Sequence, residues 1–433
     1  MKTYNEVIEY LYARLPMFTR DGASAIKKDI GNTLAFCNAL DNPHQKFKSI
    51  HVAGTNGKGS TSHMLASILT ASGYKTGLYT SPHLVDFRER IRVDGKMIEQ
   101  EEVVTFVNTN RALIEEIQPS FFEVTVALAF DYFAKMNVDI AVIEVGLGGR
   151  LDSTNIILPE LCVITNIGMD HMNMLGDTLE AIAAEKAGII KKGVPVVVSE
   201  RDERIAHIFE QTAASQSAPL RFAAAELAVL DSVHTAKGLS VNVKSYQTGI
   251  VDQWIIELTG LYQLKNLLGV LVAVDELKKQ NWQITDESSQ QGLLQVVERT
   301  GLQGRWQTLS QSPWIICDTG HNEDGIREVL INLAQQDYHR LHFVIGAMRD
   351  KDLSHMLPQL PKDAIYYFSN PDMPRALPAG ELEVAAKVFE LHGRAFDSVA
   401  EALIAAKSNS EEGDLIFVGG STFVVAEVLE ELS

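Results

Sequence analysis

The chain has 433 residues, enough for two α/β domains each with its own core, and its 46% hydrophobic and 22% charged content is that of an ordinary globular protein. A net charge of −18 excludes a general nucleic-acid or anionic-membrane surface, because such binding relies on clustered Lys and Arg. Cys37, Cys162 and Cys317 are too scattered for a metal knot or a disulfide framework. The opening MKTYNEVIEYLYARL has Glu6 and Glu9 where a signal peptide needs an apolar core, and no run approaches the roughly 20 apolar residues of a membrane span. The expectation is a cytoplasmic, monomeric protein acting on small molecules.

From Lys48 the chain alternates. KSIHVAG, TGLYTS, VDIAVIEVG, LCVITNIG and VPVVVSE read as buried strands, and 60–72, 101–117, 122–136 and 179–190 as helices with apolar residues every three or four positions. Apolar strands separated by helices predict a mostly parallel sheet covered on both faces. The polar, alternating 221–259 stretch predicts a small antiparallel excursion. PWIICDTG, LHFVIGAM, AIYYFSN and DLIFVGGS then restart the strands, with helices at 324–336, 380–391 and 398–408. The texture breaks near ERTGLQGRW, so the expected domains are 1–299, with a P-loop-type sheet, and 300–433, a Rossmann-like α/β unit.

Between the first strand and its helix stands GTNGKGS, comprising Gly54, Thr55, Asn56, Gly57, Lys58, Gly59 and Ser60. Glycines let backbone amides turn inward, the helix N-terminus adds its dipole, Lys58 supplies a mobile charge for a polyphosphate and Ser60 a hydroxyl. The ordinary Walker spacing fails: its first glycine would fall at Val52, and Gly59 stands where Ser or Thr follows the lysine. Ser81, Glu144 and His171 are each expected at the C-terminal end of a strand, where α/β proteins place ligands. Hydroxyl, carboxylate and imidazole together are candidate Mg²⁺ ligands, although Ser81 could equally cap a turn and His171 be a core group.

The shortened loop resembles that of the Mur ligase superfamily. YTSPHL, FFEVTVALAF, VIEVGLGGRLDSTN, MDHMNMLG, AEKAGIIK, YQLKN, GRW, DTGHNEDG and GAMRDKD follow in the order seen in folylpolyglutamate synthases, from about residue 50 to the C-terminus. RDGASAIKKDIGNT fits that pattern less well, and DTGHN replaces the more usual DxAHN. The resemblance implies an ATP- and Mg²⁺-dependent ligase that phosphorylates a carboxylate of dihydropteroate or folate to an acyl phosphate, which the amine of L-glutamate attacks.

The same resemblance implies Mg²⁺ at Ser81, Glu144 and His171. It places Phe122, Glu123 and Thr125, with Arg150, Leu151 and Asp152, near the pterin; Glu123 could equally favour the dipole of its own helix. Asn266, Arg305 and Asp318 match ATP contacts, with His321 beside them. Their spread over two domains suggests a cleft that closes on ATP, Arg305 and His321 stabilising charge at the transferred phosphoryl group. Ser421 could simply cap the last helix. Lys186 reads by itself as a solvated lysine near a helix end; the resemblance makes it a carbamate ligating a second Mg²⁺. Two other readings are weighed. A cell-wall precursor ligase lacks room before AGTNGKGS for a nucleotide-sugar domain, and a P-loop switch leaves Glu144, His171 and the second domain unexplained.

Overall fold

The computed structural model describes residues 1–22, 29–349 and 353–432. Positions 23–28 of RDGASAIKKDIGNT and 350–352 at the end of GAMRDKD lie outside the described residues.

Eight strands build the first sheet: β1 (Lys48–Ala53), β2 (Thr76–Tyr79), β3 (Ile91–Val93), β4 (Lys96–Met97), β5 (Ile140–Glu144), β6 (Leu161–Ile164), β7 (Val196–Val198) and β8 (Leu220–Phe222). Their order is β4-β3-β2-β5-β1-β6-β7-β8. All neighbours run parallel except β2–β3 and β3–β4. Apolar strands without alternation, such as the fully buried IAVIE of β5, require cover on both faces. One cover is the helix Lys58–Ala71, packed by Gln263–Lys279 and Asp286–Leu294. On the other face lie Phe121–Lys135, Leu179–Ala187 and Ala206–Ser215.

The chain leaves β1 for β2 on the far side of β5, and later leaves β5 for β6 on the opposite side of β1. That reversal makes the C-terminal end of β1 the switch point where such sheets open a crevice. The loop at Gly54 emerges there.

The excursion is a three-stranded antiparallel sheet of β9 (Leu227–Thr235), β10 (Gly238–Ser245) and β11 (Val251–Ile256). A second sheet follows: β12 (Gln307–Gln311), β13 (Trp314–Cys317), β14 (Leu341–Ile345), β15 (Ile365–Phe368), β16 (Gly393–Ala395) and β17 (Leu415–Gly419). Its order is β12-β13-β17-β14-β15-β16, parallel but for β12. The last strand thus inserts beside β13, and the Asp318 amide donates to Val418 O at 3.1 Å. Packing divides the chain into Met1–His83, Phe87–Thr259 and Gln263–Leu302 as one unit, and Leu84–Asp86, Gly260–Tyr262 and Gln303–Ser433 as the other.

Two expectations change. The single helix at 101–117 is two, Gln100–Thr109 and Arg111–Ile117, joined at Asn110, whose side chain donates to Phe106 O at 2.9 Å. Side-chain bonding of this kind competes with the helical ladder. His171 does not end a strand: β6 stops at Ile164, and His171 caps a four-residue helix with φ 50°. No helix among the described residues is long and apolar enough to cross a membrane.

Candidate functional site

The loop after β1 can be built only with glycines at two points. Gly54 has φ 151°, and a Cβ there would fall 1.8 Å from Thr165 Oγ1. Gly57 has φ 82°, and its Cβ would fall 2.2 Å from Asn266 Oδ1. The loop is laced to the segment after β6. The Thr55 amide donates to Asn166 O (2.9 Å), the Asn56 amide to Asn166 Oδ1 (2.8 Å), and the Thr55 hydroxyl to Gly168 O (3.1 Å). Gly57 caps the helix Lys58–Ala71 without a side-chain hydrogen bond, so its first turn presents amides and a positive dipole end. Ser60 is buried and accepts from Gln263 Nε2 at 3.0 Å, and Gln263 in turn accepts from Asn266 Nδ2 at 2.8 Å.

Two ammonium groups meet at this turn. Lys58 Nζ donates to Gly54 O and Thr55 O, both at 3.1 Å, and Lys186 Nζ donates to the same Gly54 O at 2.8 Å. Lys186, in the last turn of Leu179–Ala187, is only 4% exposed, which corrects its reading as a solvated lysine. Burial and then the charge of Lys58 push its pKa down to about 7.

Among the metal candidates, Glu144 ends β5 buried, and the Ser81 amide donates to Glu144 Oε2 at 3.2 Å, which brings those two together. His171 stands in the loop after β6, its amide on Asp170 Oδ1 (2.8 Å) and its ring edge-on to Phe18. Among the described residues, no three His, Cys, Asp or Glu side chains form a metal cage.

Among the residues expected near the acceptor, Glu123 forms a capping box with Ser120: the Ser120 amide donates to Glu123 Oε2 at 2.6 Å, and the Glu123 amide to Ser120 Oγ at 3.3 Å. Thr125 is buried, its hydroxyl on Phe121 O at 2.7 Å. Phe122 packs on Gly146, where a Cβ would meet Phe122 Cζ at 2.4 Å. Arg150 pairs with Glu185 at 2.8 Å with its side chain 56% exposed, and Leu151 is half-buried. Asp152 is buried and accepts from the Leu147 amide (2.8 Å) and the Thr154 amide (2.9 Å). Burial raises its pKa against these bonds.

In the second unit Asp318 is fully engaged. Oδ2 accepts from Tyr262 Oη (2.6 Å) and the Trp306 amide (2.8 Å), and Oδ1 from the Gly320 amide (2.8 Å). Burial nevertheless pushes its pKa up. Arg305 donates to Thr319 Oγ1 and Gly304 O, and the His321 ring bonds Thr319 O through Nδ1 at 3.0 Å. Ser421 caps Thr422–Glu431, accepting from the Phe423 amide. Sequence reasoning did not single out Tyr262, Gln263, Thr154 or His51. Tyr262 and Gln263 stand within YQLKN, so their signal was present.

The Mur ligase middle domain model matches residues 52–274, and that of the Mur ligase glutamate ligase domain residues 304–422. The Bacillus subtilis dihydrofolate synthase/folylpolyglutamate synthase is 32% identical over 439 residues, covering 99% of each chain. Among solved structures, Escherichia coli FolC in complex with DHPP and ADP matches with a TM-score of 0.85 at 28% identity, covering 100% of this chain and 98% of that one. A Mycobacterium tuberculosis folylpolyglutamate synthase, described with ADP and AMPPCP, matches at 0.86 and 26% identity over 99% and 98%. The loop after β1, the two-sheet architecture and these full-length likenesses agree: the chain belongs to the Mur ligases, a family of ATP-dependent amide ligases, and within it to the dihydrofolate synthase/folylpolyglutamate synthases.

Proposed function

We propose that this chain joins L-glutamate to dihydropteroate and to the glutamate tail of folates at the expense of ATP. The observation that carries the proposal is the convergence of Lys58 and Lys186 on Gly54 O, at the foot of an uncapped helix N-terminus. The Lys58 charge at that turn suits a polyphosphate, and Lys186 stands directly beside it. The acceptor carboxylate attacks the γ-phosphorus and ADP leaves; the glutamate amine attacks the acyl carbon, phosphate leaves and the amine proton is lost. Lys58 offsets charge on the transferred group; Arg305 and His321 are assigned the same role, and Asn266 and Asp318 the nucleotide. Phe122, Glu123, Thr125, Arg150, Leu151 and Asp152 line the acceptor side.

The donor chemistry of Ser81 and Glu144, a hydroxyl residue and a buried carboxylate joined by one hydrogen bond, fits Mg²⁺, with His171 as the third candidate. Mg²⁺ there would neutralise polyphosphate charge. A lysine held near 7 is largely neutral at mildly alkaline pH, the form that attacks CO₂ to give a carbamate and a proton. Lys186 is thus suited to become a carboxylate for a second Mg²⁺. The buried free cysteines fit a reducing cytoplasm, and the chain is taken to act as a monomer.

Purified protein with ATP, Mg²⁺, glutamate and either dihydropteroate or tetrahydrofolate should yield products heavier by one glutamyl unit. Loss of ATP without such products would defeat the proposal. A product from tetrahydrofolate alone would reduce it to a folylpolyglutamate synthase. ¹³C-bicarbonate should give a carbamate resonance that Lys186→Ala abolishes.

A further inference from the structure

His51 lies in β1 just before the Gly54 turn, wholly buried, in register with Ile143 of β5 and Cys162 of β6. Its Nε2 is 2.9 Å from Thr154 Oγ1, and Thr154 Oγ1 bonds in turn to Asp152 Oδ1. The proton directions along this chain follow from counting. Asp152 receives backbone N–H groups on both oxygens, from Leu147 on Oδ2 and from Thr154 on Oδ1; burial raises its pKa, these bonds favour the carboxylate against it, and a carboxylate only accepts.

The single hydroxyl proton of Thr154 therefore goes to Asp152, and its oxygen is left to accept from His51. The ring proton sits on Nε2. Nδ1 has no partner, and as a bare acceptor it costs less than the stranded N–H donor the other tautomer would leave. Burial keeps the ring neutral, its pKa pushed down to about 3.

We propose that His51 and Thr154 are positioning residues for the acceptor substrate. They lock the Asp152 carboxylate in one rotamer, so that its negative charge is held in a fixed place for the N–H donors of the bound heterocycle. The inference rests on the assignment of Asp152 to the acceptor side. It also ties that side to the strand that carries the phosphate loop, since the chain of bonds begins in β1. A hydroxyl and a neutral imidazole do this where a lysine or arginine would not, because a cation would compete with the substrate for the carboxylate.

Steady-state kinetics on the intact enzyme test it, with acceptor and ATP varied separately. Thr154→Val, which keeps shape and loses the hydroxyl, should raise the acceptor KM about tenfold, the scale of one hydrogen bond to a charged group. The ATP KM should stay within about twofold, and Thr154→Ser should restore most of the loss. His51→Leu should repeat the pattern more weakly, and His51→Gln, which retains an N–H donor, should lie nearer the parent; this pair decides the matter if Thr154→Val does not fold. A parental acceptor KM in Thr154→Val, alongside a raised one in Asp152→Asn, overturns the positioning role and leaves Asp152 its place. An unchanged acceptor KM in Asp152→Asn overturns the assignment of Asp152 itself. Equal damage to the ATP and acceptor KM values overturns the proposal in favour of general distortion of β1.

Discussion

The turn after β1 and the turn after β13 occupy equivalent places at the ends of parallel strands, yet they hold charge in opposite ways. At Gly54 two lysines share a backbone carbonyl, and the charges of Asp170 and Asp152 act on Lys186 from outside that bond. At Asp318 one carboxylate takes three hydrogen bonds from its own unit. In the first arrangement burial, and then the Lys58 charge, disfavour the charged form of Lys186. The second is satisfied and rigid. Charge at the end of a strand is thus either left for something else to balance or spent on holding its own turn in shape.

The contrast breaks most directly at Lys58. Lys58→Ala should cut turnover by roughly 10²-fold or more, the scale of a lost transition-state charge partner, with unfolding by urea little changed. A turnover within a few-fold of the parent would make the loop a mere turn. Asp318→Ala should differ in acting on stability as well as on the ATP KM. It strands the Tyr262 hydroxyl and the Trp306 and Gly320 amides, and should cost roughly 2–4 kcal/mol in denaturant unfolding.

Lys186 sharpens the comparison through pH. Its folded pKa of about 7 lies below the 10.5 of a free lysine, so between those values the unfolded chain holds a proton that the folded chain lacks. Stability should rise with pH across that window, by at most about 1.4 kcal/mol per unit, and level off below it. Lys186→Met, measured beside the parent under CO₂-free conditions, should lack this slope. Parallel pH profiles would show that the lysine is not held neutral. The smallest expected effect is that of Tyr262→Phe, which removes one of the three bonds to Asp318. It should lower stability by about 1 kcal/mol and raise the ATP KM modestly. No change in either would count against the proposed nucleotide role of Asp318 and its partner.

Much of the fold was written in short-range pattern. The β-branched runs of β1, β5, β6, β14 and β17 are apolar on both faces because both faces are covered, and LSVNVKSY alternates because one side of β10 is more open. The glycine loop was readable because its conformation admits no side chain at Gly54 or Gly57. Partnerships across distance were not. Ser60 meets Gln263, His51 meets Thr154 and Tyr262 meets Asp318 only after the sheets assemble, and no local period records such pairs. The burial of Lys186 was hidden for the same reason, since a lysine in the last turn of a helix looks solvated until the loop after β1 covers it. The N-terminal helix Tyr4–Arg14 was a different omission: its Thr3–Glu6 capping box is visible in TYNE.

The division of the chain has a practical consequence for dissection. Leu84–Asp86 and Gly260–Tyr262 belong with the C-terminal unit although they are encoded far upstream of it. A gene fragment beginning at Gln303 would supply all of β12–β17 but lack Tyr262, and Asp318 would be left to its two amide partners. Such a fragment should express as a loosened fold. A fragment extended back to Gly260 would regain that hydroxyl but drag along the helix Gln263–Lys279, bereft of its sheet. The halves of this enzyme are therefore not modules to be swapped by a single cut, and a chimaera would need three exchanged segments to keep one unit whole.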